Sequence, residues 1–197
     1  MPAIETIERE GFVAKIYYDA DPQSPDDWDT LATFEHTLNY TFGEQISEPE
    51  RGWDVYMRWL TLSGTAAAVI GVYIADYGSG GLRCYPSDNP NAVLYTNHER
   101  VTQLCGDGAE YHTREWIEQA LRGECETWNQ YLEQDVYGYV IEQRGEQVDS
   151  CWGFYGMECV KEEVNDILDG YAADRARAIE QGMHQWRYVM ALAGGAR

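Results

Sequence analysis

Carboxylates dominate the side chains of this chain that could do chemistry. Thirty-four Asp and Glu face 14 Lys and Arg, for a formal net charge of −20 over 197 residues. Only Lys15 and Lys161 are lysines. Three groups of acids have a readable arrangement. Asp26, Asp27 and Asp29 surround Trp28 in a turn-rich loop. Glu115, Glu118, Glu126 and Glu133 share the polar face of a predicted helix over 112–134. Glu158, Glu162, Asp166 and Asp169 share the polar face of a second predicted helix over 157–169, at i, i+4, i+8 and i+11. With a rise of about 1.5 Å per residue, neighbours in that row stand roughly 5–6 Å apart along the axis. Phosphates along one DNA strand recur on a similar scale. Like charges at i,i+4 destabilise a helix slightly, so the row costs a little stability and presents a line of carboxylates. Such a line complements a Lys/Arg groove that normally holds a polyanion. These eleven acids are the candidate partner-binding residues. A solvated acidic face, or the composition of a salt-adapted protein, produces the same pattern and stays open beside it.

Other chemistries find less support. His36, His98, His112 and His184 have no ligand-type spacing to one another or to a cysteine, and the acidic loops lack a calcium-loop pattern. No metal or cofactor is expected. Cys151, in Asp-Ser-Cys-Trp-Gly, would need a base and a lowered pKa to act as a nucleophile. In so acidic a chain it reads as a buried core cysteine, as do Cys84, Cys105, Cys125 and Cys159. The pairs Asp26/Asp27 and Glu162/Glu163 do not face one another well enough for acid–base work. The glycine run at 78–81 lacks the lysine of a phosphate-binding loop and reads as a hairpin turn. The charge argues against direct nucleic-acid binding, and no catalytic residue is assigned.

The elements that must position these side chains follow from periodicity. Strands are predicted over 11–18, 66–76, 82–85, 92–97, 137–143 and 148–156, with a turn at 145–146. Residues 30–46 are ambiguous. A short helix is predicted over 50–62, with Trp53, Met57 and Leu60 inward. In the 112–134 helix Ile117, Leu121, Cys125, Trp128 and Leu132 form the inward stripe, with Thr113 as N-cap. The 157–169 helix turns Val160, Val164 and Leu168 inward. A third helix over 172–192 places Ile179, Met183, Trp186 and Met190 on one side, and the last four residues should fray. In the strand over 148–156, Cys151, Gly153 and Tyr155 alternate with Trp152 and Phe154. That alternation fits a covered strand or an exposed aromatic anchor rimmed by acids. Strands that do not alternate with helices imply an α+β fold, a small mainly antiparallel sheet packed on two or three amphipathic helices.

Charge and composition set the frame. Residues 1–54 hold 13 acids and 3 bases, 55–98 hold two of each, 99–169 hold 17 and 5, and 170–197 hold 2 and 4. The neutral stretch should be core and the acidic flanks surface. The length suits a single domain over 1–197, with an acidic part to 54, a core over 55–169 and a C-terminal helix. Seven Trp and 15 Tyr separate it from disordered acidic tails. The longest apolar run, around Ala66–Val72, is too short to span a membrane. No secretory signal is evident, and five cysteines without a C-x-x-C pair suggest a reduced, cytoplasmic setting.

The segments WDVYMRWL (53–60), VIGVYIADYGSGG (69–81), GYVIE (138–142) and VDSCWGFYGMECVKEE (148–163) resemble a family of uncharacterised phage and mobile-element proteins with a D-S-C-W-G-F-Y-G box. The resemblance covers about residues 50–165 and carries no established activity. In size and charge the chain is also similar to phage and plasmid anti-restriction and anti-CRISPR proteins that mimic DNA. That second likeness transfers no residue roles. It implies an inhibitor whose partner is a host nucleic-acid-binding protein or nuclease complex, with no membrane involvement, and leaves a homodimer open. The alternatives are a small phage enzyme using Cys151 or carboxylates, and a salt-adapted acidic domain.

Overall fold

A computed structural model describes residues 2–78 and 81–194, and for 186–194 the backbone only. Its contacts divide the chain into two compact units. One comprises the residues up to Asp19 together with those from Val136 onward. The other runs from Ala20 to Asp135.

The first unit is built on a four-stranded antiparallel sheet. Its strands are β1 (Glu5–Arg9), β2 (Phe12–Tyr18), β8 (Val136–Gln143) and β9 (Glu146–Tyr155), in the order β1-β2-β8-β9. Two-residue turns close both hairpins. Glu10 and Gly11 have φ of 49° and 84°, and Arg144 and Gly145 have 55° and 84°. Paired positive φ values match the twist of the flanking strands, so the second turn sits one residue earlier than 145–146. β1 escapes the sequence reading because its only apolar residue, Ile7, sits among charges. Phe12, Ala14 and Ile16 of β2, with Tyr137, Tyr139 and Ile141 of β8, bury one sheet face against Val160, Val164 and Leu168. Those three lie on α4 (Met157–Gly194). The acidic flanks thus supply a core of their own, because alternation hides an apolar face within charged sequence.

α4 is one continuous helix of 38 residues, where the sequence suggests two. Gly170 is the reason for the expectation and is not enough to fulfil it. A helical glycine costs about 1 kcal/mol, and the Ala- and Arg-rich sequence after it favours helix. Ile179 and Met183 are exposed at 54% and 52%, so the described part of the predicted stripe over 172–192 is not packed. Trp186 and Met190 fall outside the described side chains, and the end of the predicted frayed tail outside the described residues.

The second unit holds a five-stranded sheet of order β4-β3-β7-β5-β6. Its strands are β3 (Thr33–His36), β4 (Glu44–Gln45), β5 (Ala68–Asp76), β6 (Leu82–Pro86) and β7 (Ala92–Thr96). β3 and β4 pair in parallel and the other pairs are antiparallel. The predicted turn at 78–81 includes residues 79 and 80, outside the described set. α3 (Arg114–Leu132) lays Ile117, Leu121, Cys125 and Trp128 on one side of the core, with Ile70, Val72, Ile74, Cys84 and Leu94. The Thr113 hydroxyl accepts from the Trp116 amide at 3.3 Å, as expected of an N-cap. On another small core, α1 (Trp53–Leu62) packs Leu60 against Ala66, Val69 and Val93. α2 (His98–Cys105) is not apparent in the sequence pattern. It has one buried residue, Val101, and is started by Asn97, whose side chain accepts from the Arg100 amide. Four helices and two mostly antiparallel sheets among the described residues make this an α+β fold.

Candidate partner-binding carboxylates

α4 sets the clearest row. Val160, Val164 and Leu168 recur at i, i+4 and i+8 and are buried, so the helix turns the opposite face to solvent. On that face Glu158, Glu162 and Asp166 are exposed, as is the neighbouring Glu163. Among the described residues no ion pair involves Glu158, Glu162 or Asp166. Asp169, at the end of the row, differs. It pairs with Arg9 of β1, whose guanidinium also donates to the Asn165 carbonyl and side chain. Lys161 leaves the row's face and meets Glu5 at 2.8 Å. That contact holds its ammonium above the usual lysine range.

The α3 row is compensated. Glu118 accepts from Arg114 Nε at 2.7 Å. Glu133 meets Arg83 Nε at 2.7 Å and accepts from the Asn129 side-chain Nδ2. Arg122 lies seven residues after Glu115 and four before Glu126, so it places a positive charge on the same face. Glu115 and Glu126 are exposed. In the loop cluster, Asp26 accepts from the Gly43 amide at 2.7 Å. Its own amide donates to Ser24 in a 3-10 turn spanning Pro25–Asp27. Asp29 stands 3.5 Å from Arg100, and Asp27 is exposed. The α3 and loop acids belong to one unit and the α4 acids to the other.

Two acids that sequence reasoning passed over are structural. Glu124 accepts from the amides of Leu31 and Ala32 at 2.5 and 2.8 Å. Burial pushes its carboxyl above the usual range, against the opposing pull of those amides. The signal was present: Glu124 sits seven residues after Ile117 and four before Trp128, on the inward stripe. Glu35 is 6% exposed and receives the Tyr56 and Tyr95 hydroxyls at 2.6 and 2.9 Å. Burial, then the Glu35 charge, pushes both phenols above their ordinary range.

Several expectations need correcting. Cys151 is exposed, not buried, because β9 is an edge strand whose residues from Ser150 to Gly153 are all exposed. An edge and a central strand can share one alternation pattern, so the sequence does not separate them. Its thiol donates to the carbonyl of Trp152, at 3.8 Å. Trp152 is 48% exposed. Its ring lies over Gly138, where a Cβ would come within 2.2 Å of it. This is the exposed-aromatic alternative, not the covered strand. Cys159 is exposed and Cys105 half-buried, while Cys84 and Cys125 are core residues. The Cys84 thiol donates to the Cys125 carbonyl at 3.3 Å, and the neighbouring Cys125 side chain, then burial, raise its pKa. Finally, His98 and His112 are neighbours in space, whereas His36 is buried with its Nε2 at 2.5 Å from the Phe42 carbonyl.

No described helix is long and apolar enough to cross a membrane. No family model matches the chain, and no similar curated protein or solved structure was found.

Proposed function

We propose that this protein is an acidic inhibitor that occupies the nucleic-acid-binding surface of a host defence complex, of the anti-CRISPR or anti-restriction type. One observation carries the reading: Glu158, Glu162 and Asp166 line the solvent face of α4 without ion pairs among the described residues. From Glu158 to Asp166 the row extends about 12 Å. Binding of this row in a Lys/Arg groove would release counterions to solution, as binding of a phosphate backbone there does. The net charge of −20 would speed the encounter by long-range steering. Trp152, exposed on the same unit, supplies a candidate anchor for specificity beyond charge.

The test is capture from lysate of the cell that makes the protein, at low and high salt, with duplex DNA as competitor. Recovery at low salt of a nuclease complex that DNA displaces supports the reading. Recovery of nothing reproducible, or of a partner indifferent to salt and DNA, overturns it.

A further inference from the structure

One pair of metal-ligating side chains lies outside the carboxylate rows. His98 opens α2 directly after its cap, Asn97. His112 ends a 3-10 turn, Ala109–His112, directly before Thr113, the cap of α3. The loop between α2 and that turn brings the two imidazoles together. Their Nδ1 atoms are 3.1 Å apart and their ring centroids 5.3 Å. The far nitrogen of His112, Nε2, lies 3.3 Å from the Gly106 carbonyl and 3.5 Å from the Thr102 hydroxyl.

A ring nitrogen facing a carbonyl oxygen carries the proton. His112 therefore aims an Nδ1 lone pair at His98. If His98 is protonated on its own Nε2, a second lone pair converges with the first. Two nitrogens held by one tetrahedral metal at about 2.0–2.1 Å stand roughly 3.3 Å apart. The 3.1 Å separation is close to that bite. An Nε2–H bonded to a backbone carbonyl is also the outer contact that fixes the tautomer and orientation of a ligating histidine.

We propose that His98 and His112 form a chelating site, through Nδ1 of each, for a borderline divalent metal such as Zn2+ or Cu2+. Imidazole selects these ions over Mg2+ and Ca2+, which take oxygen ligands. Among the described residues no group of three or more His, Cys, Asp and Glu converges. Water completes the coordination sphere, and the affinity is correspondingly modest. The surrounding negative charge raises the local concentration of cations. A bound ion ties the start of α2 to the turn before α3 and stabilises that unit by mass action. This inference is independent of the proposed inhibitor role.

The test is calorimetric titration of the metal-free full chain with Zn2+ in excess Mg2+, for wild type, His98→Ala and His112→Ala. Long-range proton–nitrogen NMR of the imidazoles runs in parallel. The expected result is one equivalent of Zn2+, a shift of the Nδ1 resonance of both histidines, and binding weakened about tenfold or more by either substitution. The Nδ1 shifts in the wild type need no variant, so a folding defect in one cannot mask the answer. Nδ1 resonances that Zn2+ does not move would overturn the proposal. So would Zn2+ uptake that survives both substitutions, which would place the ion on carboxylates and leave the histidines as a hydrogen-bonded pair.

Discussion

α3 and α4 present acids on the face opposite an apolar stripe, yet they do different things with them. On α3, Glu118 and Glu133 are held by Arg114 and Arg83, and Arg122 breaks the face. On α4, Glu158, Glu162 and Asp166 form no ion pair among the described residues, although the Lys161 ammonium feels the Glu158 charge, and Asp169 is tied down by Arg9. An acidic face is therefore a weak signal by itself. What separates a partner-binding row from a compensated surface is where the few cations fold to. With 14 Lys and Arg in the chain, their placement decides which acids stay available.

The largest effects should be shared by the two helices, because their inward stripes are alike. Leu121→Ala in α3 and Leu168→Ala in α4 each delete a fully buried side chain. Each is expected to cost about 2–5 kcal/mol in urea unfolding. A cost near zero for Leu168→Ala would break the parallel by showing that α4 is not docked on its sheet.

Next comes an asymmetry. α3 carries a half-buried carboxylate, Glu124, that holds two backbone amides, and the described part of α4 carries no counterpart. Glu124→Ala leaves the Leu31 and Ala32 amides without their acceptor, and a loss of about 1–3 kcal/mol is expected. The pH dependence has a definite sign. Burial raises the folded-state pKa of Glu124 above its unfolded value. The stability tied to its protonated form is thus complete below the unfolded pKa. It is lost as pH rises through the folded value. Urea unfolding across that range should show the wild type losing stability relative to Glu124→Gln as pH rises. The opposite slope would mean that the two amide bonds outweigh burial.

Arg9→Ala removes the bonds to Asn165 and Asp169. About 1 kcal/mol is expected, since part of the contact is solvent-screened. The smallest effects sharpen the comparison most. Glu118→Gln and Glu133→Gln on α3 should cost up to about 1 kcal/mol, because each loses an arginine partner. Glu162→Gln and Asp166→Asn on α4 should be neutral or stabilising by a few tenths of a kcal/mol, because they relieve i,i+4 repulsion, whereas Glu158→Gln also loses a favourable first-turn charge. Equal costs on both helices would erase the distinction.

Much of this architecture was legible in the sequence. Alternation exposed β2, continuous β-rich apolar runs exposed β5, β7 and β8, and 3.6-residue periodicity exposed α1 and α3, because burial leaves a direct imprint. The misses have physical causes too. β3 buries Glu35 and His36, polar residues whose partners, Tyr56, Tyr95 and Phe42, lie elsewhere in the sequence. α2 is short and held by its cap and a single buried valine. Gly170 looks like a helix end and is not one. At the candidate site, sequence spacing placed all eight helical acids on polar faces but could not show which ones an arginine would meet. The His98–His112 contact was hidden for the same reason: fourteen residues separate them, and only the fold of α2 closes the gap.

The most direct measurement is binding of the captured nuclease complex to the triple variant Glu158→Lys, Glu162→Lys, Asp166→Lys, beside Glu115→Lys, Glu126→Lys on α3. If α4 is the mimic surface, the α4 variant loses capture and the steep salt dependence, while the α3 variant keeps both. Capture that survives reversal of the α4 row, or that fails only when the α3 acids are reversed, contradicts the account.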